Sequence, residues 1–181
     1  LIVPAMHHSM YRHPAVRGNL ECLRAWGVGV VDPRIEEEKA KIADNETIVL
    51  RCERMILGQP LKGKRVLITS GPCREIVDDV RVLTTRSTGL MGRALALEAF
   101  RLGADVTVIH RDTFPGVTNI PVDSSADMRE AVHHVFSEGG GADMYISAAA
   151  ISDFAPKKYQ GKIPSGKKVT VELDPLPKLL D

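Results

Sequence analysis

Aromatic residues are scarce in this chain, which has one Trp, three Tyr and four Phe among 181 residues. A surface that stacks nucleic-acid bases needs several aromatic rings, so this scarcity argues against such a platform. An excess of one charge is also lacking, because 24 Lys and Arg balance 23 Asp and Glu to a net charge of +1. A broad basic face for duplex nucleic acid is therefore excluded. We expect a small polar or anionic ligand and no nucleic-acid partner.

Cysteines and long apolar runs are few as well. The three cysteines, Cys22, Cys52 and Cys73, lie far apart without a C-x-x-C pair, so neither a disulfide framework nor a zinc site is predicted. This usage fits a reducing cytosol, and we expect a cytoplasmic protein. No apolar run approaches the ~18 residues that a membrane span needs, so no membrane partner is expected. The chain begins without Met and ends without a polar tail, and we expect both ends to lie inside a longer protein.

The first part of the chain predicts two helices with a short strand between them. Pro14 opens a helix whose apolar residues follow at i, i+4 and i+7 spacing. Residues 28–31 predict a brief strand, and the charged residues 32–44 predict a solvated loop or an exposed helical face. Asn45 is predicted to cap a second helix, which stops at Gly58.

A domain boundary is predicted at residues 59–64, and beyond it strands and helices alternate. The pattern indicates two successive β-α-β units. Right-handed crossovers would give an α/β fold, a Rossmann-like parallel sheet covered by helices, with its ligand at the carboxyl ends of the strands. The predicted strands are residues 65–69, 105–110, 119–122 and 143–150. The predicted helices are residues 88–102, with Met91, Leu95, Ala99 and Leu102 on one face, and a helix from the capping box Ser124…Asp127 to the stop at Gly139-Gly140-Gly141, with Met128, Val132, Val135 and Phe136 on one face.

Small residues surround the junction between the first of these strands and its helix. Thr69-Ser70-Gly71-Pro72 ends the strand, and Ser87-Thr88-Gly89-Leu90-Met91-Gly92 opens the helix, whose free N–H groups and dipole favour an anion such as phosphate. The same glycines would also serve as a packing device, and both interpretations stay open. A full G-x-G-x-x-G is absent, but Arg111 after the second strand would suit a 2′-phosphate, so an NADP-binding protein is an alternative.

Five further features bear on chemistry. Arg81, in the long loop of residues 72–86, either contacts a carboxylate or phosphate of the substrate or pairs with neighbouring aspartates. The small residues of the strand Tyr145–Ala150 allow a base or ribose to approach, or allow close packing. Asp153 at the exit of that strand is placed to hold a metal or a ribose hydroxyl. The five lysines of residues 157–168 predict a mobile basic loop. The histidines occur without carboxylates at ligand spacing, so no metal–histidine site is predicted.

Five sequence blocks follow one another through the second part of the chain. They are Lys64-Arg65-Val66-Leu67-Ile68-Thr69-Ser70-Gly71-Pro72-Cys73-Arg74-Glu75, Asp78-Asp79-Val80-Arg81, Ser87-Thr88-Gly89-Leu90-Met91-Gly92, Ala148-Ala149-Ala150-Ile151-Ser152-Asp153 and Gly161-Lys162-Ile163. Together they resemble the ligase half of the bifunctional phosphopantothenoylcysteine decarboxylase/phosphopantothenate-cysteine ligase family of coenzyme A synthesis. Upstream, Pro4-Ala5-Met6-His7-His8-Ser9-Met10-Tyr11 resembles the P-x-M-N-x-x-M-W substrate clamp of the decarboxylase half.

The resemblance implies two domain fragments. Residues 1–58 would be the C-terminal tail of a flavoprotein decarboxylase domain, and residues 59–181 the N-terminal part of the ligase domain, a truncated Rossmann-like fold. The implied reaction joins 4′-phosphopantothenate to cysteine with CTP and Mg²⁺ through an acyl-cytidylate. The decarboxylase half would use FMN held largely by residues outside this chain. We also expect a homo-oligomer.

The resemblance also implies roles for individual residues. The implied catalytic residues are Arg81, Lys162 and Thr85. The implied nucleotide-binding residues are Gly71, Ser87, Gly89, Gly92, Ser147, Ala148, Ala149, Asp153 and Lys162. The implied clamp residues are Pro4, Met6, His7, Met10 and Tyr11. No residue of the chain is implied as a metal ligand.

The chain departs from the family pattern at several positions. Thr85 stands where the family has Asn, and a hydroxyl lacks the geometry of an amide, so we expect different handling of the acyl-nucleotide. The clamp has His7 for Asn and Tyr11 for Trp, and Ile76 and Asp79 replace two inner prolines of the loop. Two alternatives therefore stand beside the ligase, an NADP-dependent oxidoreductase of similar topology and a non-catalytic nucleotide-binding module.

Overall fold

The computed structural model describes residues 1–137, 140–166 and 168–179. The chain divides into two compact units. The first comprises Leu1–Leu61 with Arg101–Gly103, and the second comprises Lys62–Phe100 with Ala104–Asp181.

The first unit combines a small antiparallel sheet with helices. The strands are β1 (Met6–His7), β2 (Arg34–Glu36) and β3 (Lys39–Lys41), in the order β1-β3-β2, and the helices are α1 (His8–Tyr11), α2 (Pro14–Ala25) and α3 (Asn45–Ile56). Pro14 occupies the first turn of α2, as predicted. Leu20 of α2 and Leu50 of α3 are buried together with Val31 and Ala40, which gives this unit its apolar interior.

Two predictions for this unit are wrong. Residues 28–31 form no strand, and Val30 makes only an isolated bridge to Ile2. The charged run contains a hairpin of β2 and β3, because Glu37 and Glu38 adopt left-handed φ values of 50° and 55° and so form a tight turn that matches the strand twist. Lys41 then pairs with Glu36 across the strands, N to O 3.1 Å. Charge patterning does not reveal such a turn when its residues are glutamates.

The cap of α3 lies one residue earlier than predicted. Asp44 is the N-cap, and its Oδ1 accepts a hydrogen bond from the Thr47 N–H at 2.8 Å. Asn45 is the first helical residue. Both residue types favour the cap position, so composition alone does not separate them.

The second unit is built on a four-stranded sheet, and the predicted parallel α/β architecture is confirmed. The strands β8-β7-β4-β9 lie in this order, and every neighbouring pair is parallel. Among the described residues, two helices and two small antiparallel pairs accompany the sheet. The elements are β4 (Arg65–Pro72), β5 (Arg74–Ile76), β6 (Val82–Thr84), α4 (Leu90–Arg101), β7 (Asp105–His110), β8 (Thr118–Pro121), α5 (Ser125–Ser137), β9 (Met144–Ala150), β10 (Phe154–Pro156) and β11 (Leu173–Pro175).

The long loop of residues 72–86 is more ordered than predicted. It contains the antiparallel pair β5–β6, with Arg74 opposite Thr84 and Ile76 opposite Val82. Strands of three residues with mixed polarity have too few positions to show a period of two. Their pairing follows from the turn between them, in which the Val77 N–H donates to the Arg81 carbonyl.

The predicted face of α4 is wrong in part. Ala99 is buried as predicted, but Met91 and Leu95 are 71% and 37% exposed, whereas Ala96, Leu97 and Phe100 are buried. Apolar residues occupy all sides of this helix, so their spacing does not select a face. Small residues decide the packing, since they let the helix approach the sheet closely.

The helix α5 begins as its sequence predicts. The Asp127 N–H donates to Ser124 Oγ at 3.1 Å, and the Ser124 N–H donates to Asp127 Oδ2 at 3.0 Å, which is a reciprocal capping box. Met128 and Val132 are buried, but Phe136 is 45% exposed. Of the predicted glycine stop, Gly139 lies outside the described residues.

The core of the second unit lies between the sheet and its helices. Leu67, Ile68 and Ile109 of the central strands are fully buried, and Met128 of α5 packs in the same cluster as Leu67 and Ile109. Continuous apolar strands of this kind are typical of parallel sheets that are covered on both faces. Among the residues that the structure describes, no helix has the length and apolarity that crossing a bilayer requires.

Gly92 of α4 provides a test of this packing. A Cβ at Gly92 would lie 2.4 Å from Ser70 Cβ and 2.2 Å from Ser70 Oγ. We expect Gly92→Ala to lower the free energy of unfolding by about 1–3 kcal/mol, measured by urea denaturation. Ser70→Gly should restore part of the loss. As a control, Gly18→Ala in α2 meets no atom within 4 Å and should be neutral or stabilising by up to ~1 kcal/mol. A Gly92→Ala protein as stable as the wild type would contradict this account of the helix–strand contact.

Candidate functional site

The carboxyl ends of β4 and β9 meet at one edge of the sheet. Their register pairs Thr69 with Ser147, Ser70 with Ala148 and Gly71 with Ala149. The strands β7 and β8 lie on one side of β4 and β9 lies on the other, so the chain changes direction across the sheet between β4 and β9. Open α/β sheets bind ligands outside the carboxyl ends of their strands at such a switch point. This edge is therefore the candidate site.

The N-terminus of α4 lies against the same edge. Ser70 Oγ donates to the Gly89 carbonyl at 3.2 Å, and the Gly89 N–H donates to Ser87 Oγ at 3.3 Å. Gly89 has a φ of +70°, and a Cβ there would lie 3.2 Å from the Cα of Gly71, so both its backbone and its surroundings require glycine. The structure thus brings together Gly71, Ser87 and Gly89. Gly92 faces Ser70 instead, which gives it a packing role.

A cleft of about 210 Å³ opens between this helix start and the end of β7. Thr88, Gly89 and Gly71 form part of its wall, and Arg93 and Arg111 contribute cationic groups. The first N–H groups of a helix have no partner within the helix and point toward its N-terminal side. A helix start beside two guanidinium groups suits a phosphorylated ligand.

His110 lines this cleft and is a residue that sequence reasoning did not select as functional. The Asn119 amide nitrogen donates to the carbonyls of Phe114 and Val117, both at 3.0 Å, so its Oδ1 faces His110 Nε2 at 2.8 Å. Nε2 therefore donates, and Nδ1 is the acceptor nitrogen. Burial lowers the pKa of His110, against a raising effect of its bond to Asn119. A polar residue at the carboxyl end of a buried strand is the signal that could have identified it.

Thr85 reaches the same edge from the segment after β6. Its Oγ1 donates to the carbonyl of Ala150, the last residue of β9, at 3.2 Å. The neighbouring Thr84 donates through Oγ1 to the Cys73 carbonyl at 2.8 Å. Burial raises the pKa of the Cys73 thiol to about 11, so this cysteine is not a ready nucleophile.

Arg81 forms an ion pair with Asp78 in the turn between β5 and β6. Asp78 is buried, and its Oδ1 accepts hydrogen bonds from the N–H groups of Val80 and Arg81 at 2.8 and 2.7 Å. Its Oδ2 accepts from the Ile163 N–H at 3.0 Å and from Nη1 of Arg81. Burial by itself would raise the pKa of Asp78, but the backbone hydrogen bonds and the guanidinium outweigh it and hold the pKa at about 2. The structure thus shows the pairing that the sequence left as one of two interpretations.

The basic loop, predicted to be mobile, is hydrogen-bonded at Tyr159 and Gly161 to the segment around Asp78. The Tyr159 N–H donates to the Val77 carbonyl at 2.9 Å, and the Asp79 N–H donates to the Gly161 carbonyl at 3.3 Å. The pair β10–β11 closes the base of the segment that contains this loop. Lys162 is exposed, and Lys167 lies outside the described residues. The backbone beside Lys162 is therefore hydrogen-bonded to the turn between β5 and β6.

Asp153 is paired with a cation instead of standing open to a metal. Its Oδ1 lies 2.5 Å from Nζ of Lys178, and both side chains are largely exposed. Within the described ranges, no group of three or more His, Cys, Asp or Glu residues is arranged to hold a metal ion.

The clamp residues lie in the first unit. Pro4 is buried, Met6 and His7 form β1, and Met10 is 57% exposed. His7 caps α1, since its Nδ1 accepts from the Ser9 N–H at 3.4 Å. Tyr11 donates through its hydroxyl to Asp32 at 3.2 Å. Burial and then the Asp32 carboxylate raise the pKa of Tyr11.

Comparison with known protein families gives two matches, one for each part of the chain. Residues 61–181 match the DNA/pantothenate metabolism flavoprotein C-terminal domain, and residues 1–57 match the flavoprotein domain. The chain belongs to the DNA/pantothenate metabolism flavoprotein family.

Individual relatives agree with this assignment. The coenzyme A biosynthesis bifunctional protein CoaBC of Thermococcus kodakarensis is 43% identical over 185 residues, which cover all of this chain and 46% of that protein. The protein of the same description from Bacillus subtilis is 41% identical over 170 residues, which cover 86% of this chain and 41% of that protein. The crystal structure of the C-terminal domain of a CoaBC protein is 37% identical, with a TM-score of 0.57 over 68% of this chain and 59% of that chain. This flavoprotein-family chain spans less than half the length of these two sequence relatives.

The depressed pKa of Asp78 predicts a pH dependence of stability for this family member. A carboxylate whose pKa falls from 3.8 to about 2 on folding stabilises the fold above pH ~4, and this stabilisation is lost as the pH falls through ~2. Asp78→Asn removes it at every pH. The difference in unfolding free energy between wild type and Asp78→Asn should therefore shrink between pH 4 and pH 2, measured by urea denaturation. Asp79→Asn, at the exposed neighbouring position, is the control and should show no such convergence. A difference that stays constant down to pH 2 would contradict the assignment.

Proposed function

We propose that this chain is part of a CTP-dependent phosphopantothenate-cysteine ligase of coenzyme A biosynthesis, fused to an FMN-dependent phosphopantothenoylcysteine decarboxylase. One observation carries the proposal. The switch-point edge of a family-typical sheet joins a helix N-terminus, small strand residues and two arginines around one cleft. That arrangement suits a nucleoside triphosphate. Residues 1–58 belong to the decarboxylase half in this proposal, and residues 59–181 to the ligase half.

The proposed reaction has two steps. A carboxylate oxygen of 4′-phosphopantothenate attacks the α-phosphorus of CTP, the bond to the β-phosphate oxygen breaks, and pyrophosphate leaves. The amine of cysteine then attacks the acyl carbon of the acyl-cytidylate, loses a proton, and releases CMP. The first step is needed because a free carboxylate is a poor acyl donor.

The nucleotide-binding part of the proposal uses backbone more than side chains. Gly71 and Gly89 leave room at the strand–helix junction, and Ser87 fixes the helix entry through its bond with the Gly89 N–H. Ser147, Ala148 and Ala149 of β9 provide a surface of small residues against which a base or ribose can lie. Thr85 is fixed to this surface through Ala150, and its hydroxyl oxygen keeps capacity to accept a hydrogen bond from a ligand.

Arg81 and Lys162 provide the cations of the proposed reaction. Negative charge develops on the leaving pyrophosphate and on the activated acyl phosphate, and fixed cations aimed at these positions lower the barrier. Arg81 uses Nη1 for Asp78, but a guanidinium has five donors, so its remaining edge is available for an anion. Lys162 reaches solvent from a backbone that is held at its neighbour Ile163.

The residues that the structure describes do not supply a side-chain cluster for the Mg²⁺ that such a reaction uses. In the described part of the chain no cluster of three ligand side chains exists, and Asp153 is occupied by Lys178. No step above is assigned to a metal. Asp153 remains a proposed ribose-binding residue, and its ion pair with Lys178 must break before it can bind the ligand.

The first unit is assigned only a contact with the decarboxylase substrate. Pro4, Met6, His7, Met10 and Tyr11 form the proposed clamp, and the described contacts of His7 and Tyr11 are with residues of their own unit. No step is assigned to FMN. The proposed enzyme works as a cytoplasmic homo-oligomer, and its three free cysteines fit a reducing compartment.

One observation favours a second candidate, an NADP-dependent oxidoreductase. Arg111 lines the cleft after β7, where a 2′-phosphate would be read, although its Nε lies 3.9 Å from the carboxylate of the adjacent Asp112. Pyrophosphate release with CTP, 4′-phosphopantothenate and cysteine, beside an NADPH titration, separates the two. Nucleotide binding without either activity would favour a non-catalytic module.

Arg81 gives the first kinetic prediction. An ammonium group lacks the planar fork that would hold Asp78 on one edge and a bidentate anion on the other, so Arg81→Lys in the full-length protein should reduce turnover by roughly 10²-fold. The KM for CTP should change much less, because the loss falls on the activated intermediate. Initial rates of pyrophosphate release measure both. Arg129→Lys on the exposed face of α5 is the matched control. Unchanged turnover in Arg81→Lys would mean that Arg81 serves only as the structural ion-pair partner of Asp78.

Lys162 gives a positional prediction. If Lys162 contacts the nucleotide phosphates, Lys162→Gln should lower the rate of pyrophosphate release by about 10²–10³-fold, the usual cost of losing one such group. Lys168→Gln, which removes the same charge from the same exposed loop, should change the rate little. Equally mild effects of both substitutions would mean that the loop acts only through its overall charge.

A further inference from the structure

The proposed chemistry makes no direct use of Asp78, a buried carboxylate that is 2% exposed. Burying an ionised carboxylate is costly unless hydrogen bonds and opposite charge compensate. Asp78 lies in the turn between β5 and β6, which is already closed by the Val77 N–H donating to the Arg81 carbonyl at 2.9 Å. A turn of this kind does not need a buried acid to form, so the carboxylate calls for a further explanation.

The two oxygens of Asp78 serve different segments. Oδ1 accepts from the N–H groups of Val80 and Arg81 and holds its own turn. Oδ2 accepts from the N–H of Ile163, 85 positions further along the chain, and from the guanidinium of Arg81. One carboxylate oxygen therefore joins Arg81 to the residue that follows Lys162.

Neighbouring bonds align the two segments around this carboxylate. The Tyr159 N–H donates to the Val77 carbonyl, and the Asp79 N–H donates to the Gly161 carbonyl. Arg81 Nη1 also lies 3.5 Å from the Ile163 carbonyl oxygen. The backbone on both sides of Lys162 is thus hydrogen-bonded to the turn that carries Arg81.

We propose that Asp78 is the positioning residue that sets Arg81 and Lys162 on one anionic group of the ligand, the phosphate chain of the nucleotide or the acyl phosphate formed from it. This inference rests on the proposed function. An exposed lysine and an exposed arginine would otherwise lose much side-chain entropy on converging. A buried carboxylate that fixes the guanidinium and the loop backbone in advance removes part of that cost, and a 1 Å displacement of such groups can cost ~10²-fold in rate.

Asp78→Asn separates positioning from charge. The amide keeps the size of the side chain, and its oxygen can still accept from the turn, but its nitrogen would face the N–H of Ile163 and the guanidinium of Arg81, donor against donor. Asp79→Asn is the matched control, since it makes the same charge change at an exposed neighbour and keeps the backbone N–H that bonds Gly161. Ile163→Pro is a second variant, because it deletes the donated N–H and leaves the turn of Asp78 intact.

The test measures hydrogen exchange and kinetics in the full-length protein. Asp78→Asn should speed exchange in residues 159–163 and reduce kcat for pyrophosphate release by roughly 10–10²-fold, with Asp79→Asn like wild type. The loss should be non-additive, because with Lys162 absent only Arg81 is left to be displaced, so Asp78→Asn should slow Lys162→Gln by less than it slows the wild type. If Asp78 had only a structural role, the losses of the two single variants would multiply in the double variant. Ile163→Pro should reproduce the kinetic loss if Asp78→Asn does not fold.

Two results would overturn the inference while the proposed function stands. One is wild-type turnover in Asp78→Asn or Ile163→Pro despite faster exchange in residues 159–163. The other is a double variant whose loss is the full product of the single losses. Absence of CTP-dependent pyrophosphate release from the wild-type protein would overturn the proposed function itself. The wild-type assay is therefore done before any variant is compared.

Discussion

The parallel pairing of β4 with both β7 and β9 is the constraint on which the rest of the second unit depends. β4 is buried along almost its whole length, so its backbone groups must be satisfied by neighbours on both sides. The register with β9 then determines which residues stand at the carboxyl edge, and a shift by one residue would turn every side chain to the other face. Gly71 and Ala149 share this edge because the apolar residues before them have only one way to fill the core.

The close approach of α4 is a second constraint on the same edge. Ser70 is both a buried residue of β4 and the donor to the Gly89 carbonyl. The core and the candidate site therefore share Ser70. A change that weakens the contact of α4 with β4 also displaces the N-terminus of α4. The glycine-rich sequence fits both interpretations of the junction, packing and ligand binding, because here the two requirements coincide.

Much of this architecture could be predicted from the sequence, since it depends on local signals. The buried strands, the Ser124–Asp127 capping box and the order of alternating elements have short-range patterns, and the family blocks point to the edge where Gly71 and Ala149 meet. The β5–β6 pair, the anchored loop and the exposed face of α4 were missed. Their causes are long-range, as in the bond between Asp78 and Ile163, or depend on which side of an evenly apolar helix packs closest. The roles of Arg81, Thr85 and Lys162 stay predictions.

The amide of Asn119 has a consequence for how the cleft can recognise a ligand. Its oxygen faces His110 Nε2 and makes that nitrogen the donor, while burial lowers the pKa of His110 against the raising effect of this bond. The charged side chains that line the cleft are Arg93, Arg111 and Asp112, beside the start of α4. For the proposed nucleotide site this means that Nδ1 of His110 is an acceptor among the backbone donors of the helix start, so the cleft presents a fixed arrangement of donors and acceptors as well as charge.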